Sequence, residues 1–258
     1  MAEAAGLYYE IHGAEDAPPL ILSSGMGGSA NYWAPNIKAL ADSFRVIAYD
    51  HRGTGRSDRT VTPRIEDIGD DIRSLMDALD IGAASVLGHA IGGMGGLLLA
   101  LSDPDRIERL VVVNGWGEPN AYTSRCFEAR LALLRSSGVR AYVRAQPIFL
   151  YPPDWIAEGE IDLDADEDAH VASFPAEMIE QRILEAVRFD IRRSLPILRP
   201  PTLFLGSRDD ALVPFLSSEW LRSHFTGSRL GIMDWGGHAC NVTDPEAFNR
   251  VVLDFLRR

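Results

Sequence analysis

Lysine is nearly absent from this chain: of 25 basic residues only Lys38 is a lysine, and the arginines are scattered rather than clustered. With 37 acidic residues the formal charge is −12. That balance argues against nucleic acid and against anionic membrane surfaces as partners. It leaves open the sign of the field inside a substrate pocket. Cysteine is scarce as well. Cys126 and Cys240 stand alone without CxxC spacing, which excludes a disulfide framework. No apolar run approaches the roughly 18–20 residues that a membrane span needs. Residues 1–30 have neither a basic start nor a continuous apolar core, so no signal peptide is read and a cytoplasmic protein is expected.

What is present is the composition of an ordinary globule. A length of 258 residues, with 46% hydrophobic and 24% charged content, suits one large domain, or one domain carrying an insertion. Residues 7–12 read as a first strand ending at Gly13, and 19–23 as a fully apolar strand of the kind buried on both faces. A helix is expected from 31 to 40, a buried strand over 44–49, and a helix over 65–79 from the spacing of Ile65, Ile68, Ile72, Leu75, Met76 and Leu79. Strands follow near 83–87 and 107–114. Alternation at this spacing predicts an α/β fold with a mostly parallel central sheet. It stops at Gly115 and resumes at Pro201, with further elements at 229–233 and 248–256. Residues 1–114 and 198–258 are therefore expected to form the core, with 115–197 inserted as a helical cap. The insertion holds an acidic run from Glu158 to Asp168. Asp162-x-Asp164-x-Asp166 begins like a calcium loop, but Glu167 and Ser173 occupy the positions that need glycine and a bidentate acid. It reads as a solvated loop, with no metal and no cofactor expected.

The chemistry is concentrated at Gly88-His89-Ala90-Ile91-Gly92, between an apolar strand and a small-residue helix. That context is a nucleophile elbow, G-x-S-x-G, in which a sharp strand-to-helix turn exposes the middle side chain. Here the middle residue is alanine, and a methyl group cannot attack. Two partners that an elbow needs follow in the expected order. Asp210 comes after the strand ending at 205, and His238 after the strand ending at 233. Asp210 could instead merely cap the next helix near Pro214, and Asp209 is a rival disfavoured by its spacing to Val213-Pro214. His238 could be structural. The loop 24–28 offers the Met26 N–H, which with that of Ile91 could form an oxyanion hole. Cys240 reads as a plain buried thiol, and His89 as either pocket lining or packing.

Asp50-x-Arg52-Gly53-x-Gly55-x-Ser57, the elbow, Asp210-x-x-Val213-Pro214 and Gly237-His238 together resemble the α/β-hydrolase fold superfamily. Arg52, Gly53 and Gly55 are taken as shaping a turn. A closer similarity, to the RutD family of the pyrimidine-utilisation pathway, is carried by Asn114-Gly115-Trp116, Arg125-Cys126-Phe127, residues 145–152, Asp154-Trp155 and residues 236–246. It implies a carbamate or aminoacrylate hydrolase of uracil catabolism, with alanine native to the elbow. Against that family the chain departs in two ways. A first strand before Leu7 is not evident, and Ser24 stands where a histidine usually precedes the oxyanion glycine.

Without a serine no acyl-enzyme forms. What is left is His238 as general base on water, held by Asp210, beside two N–H donors. Ser24, His89, Trp116 and Arg125 are the expected substrate contacts, with Arg125 suited to a small anion. The substrate is expected to be a small molecule, and the oligomeric state is left open. The alternatives are another serine-independent reaction, a lyase or a cofactor-free oxygenase, or a non-catalytic binding protein.

Overall fold

The computed structural model describes residues 2–60, 64–159, 167–193 and 198–258. Its strands are β1 (Ala2–Ala4), β2 (Leu7–His12), β3 (Pro19–Ser23), β4 (Arg45–Tyr49), β5 (Ala84–His89), β6 (Ile107–Val113), β7 (Thr202–Ser207) and β8 (Arg229–Met233). They form one sheet in the order β1-β2-β4-β3-β5-β6-β7-β8. β1 and β2 run antiparallel to their neighbours, and every other pairing is parallel. A strand therefore does precede Leu7, contrary to expectation. Ala2–Ala4 lacks the branched and aromatic residues that signal a strand, and it exists by pairing with Leu7–Tyr9 at the sheet edge.

Both faces of the parallel strands are covered, as their apolar composition predicts. Leu20 and Leu22 pack with Val46, Val111 and Leu205 beneath α1 (Ala34–Ala41) and α10 (Pro245–Leu256). On the opposite face Ile21 packs with Ile47, Val86 and Val112 beneath α2 (Ile65–Ala78) and α3 (Ile91–Ser102). A one-residue shift of any strand would exchange the two faces, so the period-2 pattern holds the register.

Between β6 and β7 the described residues form helices and no strand. These are α4 (Ala121–Leu150), α5 (Pro153–Glu158), α6 (Glu167–Ser173) and α7 (Ala176–Arg188). α4 is two helices joined at Gly138, whose φ of 83° no helix accommodates. α8 (Leu216–His224) and α9 (Cys240–Thr243) complete the chain. The Asp162–Asp166 stretch and the expected boundary at residue 197 lie outside the described residues. No helix among the described residues is long and apolar enough to cross a membrane.

Candidate active site

The elbow has the geometry its glycines suggest. β5 ends at His89, Ala90 sits at φ 48° and ψ −119°, and α3 begins at Ile91. Holding a non-glycine residue there costs on the order of 1–3 kcal/mol, which surrounding contacts must offset. The Ala90 N–H donates to the Val113 carbonyl at 2.8 Å. At Gly92 a Cβ would overlap the carbonyl oxygens of Ser23 and Ser24, so glycine is what lets α3 approach the end of β3. The Ile91 N–H is the first of the helix, where no intrahelical acceptor exists. Neither it nor the Met26 N–H has an acceptor among the described residues.

Asp210 and His238, 28 residues apart, meet at 2.7 Å between Oδ2 and Nδ1, and both are buried. The other carboxyl oxygen, Oδ1, accepts from the N–H groups of Leu212 and Val213 at 2.8 Å each. Asp210 thus caps the turn and holds the imidazole at once. Asp209 faces elsewhere, accepting from Ser207 Oγ and from the N–H groups of Gly236 and Gly237. It shapes the loop that carries His238 without reaching the ring.

The main chain of His238 is fastened to the elbow. Its carbonyl accepts from His89 Nε2 at 2.8 Å and from Asn114 Nδ2 at 2.7 Å. A carbonyl only accepts, so His89 carries its proton on Nε2 and leaves Nδ1 as a lone pair. That Nδ1 is buried without a partner among the described residues and lies against Gly25 of the loop 24–28. Burial, and then the nearby His238, hold the His89 imidazole well below the ordinary histidine pKa. His89 therefore stays neutral beside the elbow rather than becoming a cation. Its ring packs between Tyr32 (5.0 Å) and His238 (4.7 Å).

The remaining expected contacts divide. Ser24 is buried with its Oγ unpartnered. Trp116 is buried against Phe127 with its indole N–H unpartnered. Arg125 is a correction. It is exposed on α4, where, among the described residues, its guanidinium hydrogen-bonds only the Ala121 carbonyl of its own helix, at 3.5 Å. The inward face of α4 is instead Thr123, Phe127, Arg130 and Leu134, so the helical period turns position 125 outward. The buried cation of α4 is Arg130, which donates to the Tyr142 hydroxyl at 2.6 Å and lies 5.2–5.9 Å from the rings of Phe127, Tyr142 and Phe149. Cys240 is buried, and burial, with Asp210 nearby, pushes its thiol well above the ordinary range. It offers no thiolate at neutral pH. Among the described residues no group of three His, Cys, Asp or Glu side chains gathers to hold a metal.

Asn114 and Arg182 were not expected at the site. Asn114 follows β6 in the left-handed region at φ 51°, a conformation asparagine tolerates, and no pattern in the chain marks its amide as a support for His238. Arg182 had a readable signal, a charge on the apolar stripe Met178, Ile179, Ile183, Ala186 of α7.

Buried neutral histidines also make the fold sensitive to acid. His51, like His89, is held well below its ordinary value, by burial and then by the Arg182 charge. Unfolded, both rings take up protons below about pH 6.5, whereas folded they resist until well below that. The unfolded state then binds more protons. The stability they support is complete above pH 6.5 and is lost as pH falls, by roughly 3 kcal/mol per unit for the pair. Denaturant titrations at pH 7.5 and 5.5 should show this loss, and His51→Gln should remove about half of the slope. An unchanged slope in that variant would contradict the assignment.

Sheet order, elbow and the acid–histidine pair after β7 and β8 together define the α/β-hydrolase class. Residues 18–245 match the family profile described as alpha/beta hydrolase fold. A protein of Caulobacter sp. (strain K31) named "Putative carbamate hydrolase RutD" is 50% identical over 256 residues, covering 97% of this chain and 96% of that one. Its namesake in Azorhizobium caulinodans is 47% identical over 253 residues, covering 97% and 95%. Among solved structures, the enol-lactonase from Burkholderia xenovorans LB400 superposes with a TM-score of 0.89 at 29% identity, covering 100% and 99%. The chain belongs to the RutD family of α/β hydrolases, and it is a hydrolase.

Proposed function

We propose that this enzyme hydrolyses a small, labile C–N compound of pyrimidine breakdown, carbamate or aminoacrylate, in the cytoplasm, by water activated at His238. The observation that carries the reading is an intact Asp210–His238 pair, 2.7 Å apart, beside an elbow whose residue is alanine. The histidine has a carboxylate to hold its tautomer, yet Ala90 gives it no hydroxyl to deprotonate. With Nδ1 committed to Asp210, Nε2 is the nitrogen left to take a proton from water. The N–H groups of Met26 and Ile91 then face the oxygen that gains charge as water adds. Helices α4–α7 close over the site as a cap. The Leu150 carbonyl accepts from the Ala239 N–H, and the Tyr122 hydroxyl donates to the Ala211 carbonyl, so the cap rests on both loops that supply the pair.

Magnitude supports a labile substrate. General base catalysis supplies about 10²–10⁴-fold, or roughly 3–5.5 kcal/mol of barrier. That is too little for a stable amide. It suffices for carbamate, which already falls to ammonia and carbon dioxide in water. It also suffices for aminoacrylate, whose imine tautomer adds water and releases ammonia. Neither needs a covalent intermediate.

The test is ammonia release from fresh carbamate and from aminoacrylate generated in situ, against the spontaneous rate and without added metal. Acceleration of either, with no oxygen consumed, supports the reading. No acceleration of both would overturn it.

A further inference from the structure

Arg182 is a cation where the sequence pattern calls for an apolar residue. It lies on the buried stripe of α7 with 2% of its surface exposed. Its guanidinium crosses from the inserted helices into the core. Nη1 donates to the Met26 carbonyl at 2.8 Å and Nη2 to the Arg52 carbonyl at 3.2 Å, while Nε is buried without an acceptor. Asp71, a carboxylate whose charge reaches it, is itself paired with Arg52 at 2.8 Å. Burial brings the guanidinium down to about 10, so it remains charged at neutral pH. Gly28, at φ +64°, makes the room: a Cβ there would stand 2.9 Å from Nη1 and 2.8 Å from the His51 Cβ.

Burying a charge without a counter-ion costs several kcal/mol, and a leucine on that stripe would avoid the cost. What the arginine adds is a hold on two loops at the carboxyl ends of β3 and β4. The N–H and the carbonyl of Met26 belong to peptide planes on either side of one Cα, so pinning the carbonyl restrains the direction of the N–H. Among the described residues the turn's other ties are at Gly28, whose N–H donates to the Gly25 carbonyl at 2.9 Å and whose carbonyl accepts from the His51 N–H at 2.7 Å and from Thr54 Oγ1 at 2.9 Å; none of them holds Met26.

We propose that Arg182 is a positioning residue that latches the oxyanion loop to helix α7, so that the Met26 N–H is aimed at the elbow only while the cap is closed. This rests on the reading of Met26 as an oxyanion donor given above. Opening the cap to admit substrate breaks the two hydrogen bonds and frees the loop at Met26, and closing remakes them. Assembly of the donor pair is thereby tied to enclosure of the substrate.

Hydrogen exchange and steady-state kinetics on the full chain test the latch. In Arg182→Met, which keeps the stem without the charge, amide exchange should rise at residues 24–28 and along α7, and stay native in β5 and β6. The value of kcat should fall about 10- to 100-fold with KM changed less than about threefold. Arg182→Lys, which keeps the charge and can reach one carbonyl, should lie between wild type and the methionine variant. It carries the test should the methionine variant fail to fold. Native exchange at 24–28 would overturn the latch, and so would a rise spread evenly over the molecule. Loosened exchange at 24–28 with full kcat would sustain the latch and refute Met26 as a donor, which separates the two readings.

Discussion

Replacing His238 by alanine is expected to lower ammonia release by about 10²–10⁴-fold, to near the spontaneous rate, while the fold survives. The ring is buried, but its loop is held through the main chain, by His89 and Asn114 at the carbonyl and by Asp209 at Gly236 and Gly237. Those ties do not depend on the imidazole. Asp210→Asn should reduce the rate too, though less. An asparagine oxygen can still accept from Leu212 and Val213, so the turn persists. Its NH₂ would then face Nδ1 and force the proton onto Nε2, the wrong tautomer for a base. Asp209→Asn should instead weaken the loop, with loss seen in thermal stability more than in turnover. An Asp209→Asn effect on rate larger than that of Asp210→Asn would contradict the assignment, as would a fully active His238→Ala.

The other large effect concerns the empty elbow. Wild-type enzyme should resist organophosphonates and show no burst with activated esters, because Ala90 has no nucleophile and the Cys240 thiol is buried and held protonated. Ala90→Ser should label with phosphonate and gain weak esterase activity. The backbone at φ 48° and ψ −119° is already that of an elbow, so the hydroxyl needs no refolding of the turn. Release of ammonia from the native substrate should not improve, since under the proposed mechanism the hydroxyl would take the space of the attacking water. Labelling of the unmutated protein would reveal another nucleophile. A large gain in carbamate hydrolysis by Ala90→Ser would mean that the alanine is a defect in the site rather than part of its design.

Arg125 and Arg182 lie where the sequence does not place them, for one physical reason. A position near the core boundary in the chain says nothing about which side of a helix it occupies. α4 turns Phe127 and Arg130 inward, and Arg125 outward into solvent. In α7 the apolar stripe was legible, but a charge on it has meaning only once the two carbonyls that receive it are known, at Met26 and Arg52. The edge strand Ala2–Ala4 was illegible for a related reason. Its residues have no strand preference, and its conformation comes from hydrogen bonds to β2.

Local chemistry is what the sequence by itself determined. Strands buried on both faces must be apolar throughout, a strand-to-helix turn this sharp must be rich in glycine, and the acid and histidine must follow separate strands. The α/β order, the elbow with its alanine, and Asp210 and His238 were therefore readable from one chain. Tertiary structure alone decided what depends on approach between distant segments. It closed the hydrogen bond between Asp210 and His238, gave His89 and Asn114 a shared hold on the His238 carbonyl, and sent Arg182 of α7 to the Met26 carbonyl. Those contacts span from 28 to 156 positions. Hydrogen bonds at 2.7–2.8 Å are settled by how the sheet and helices pack, and no spacing along the chain encodes that distance.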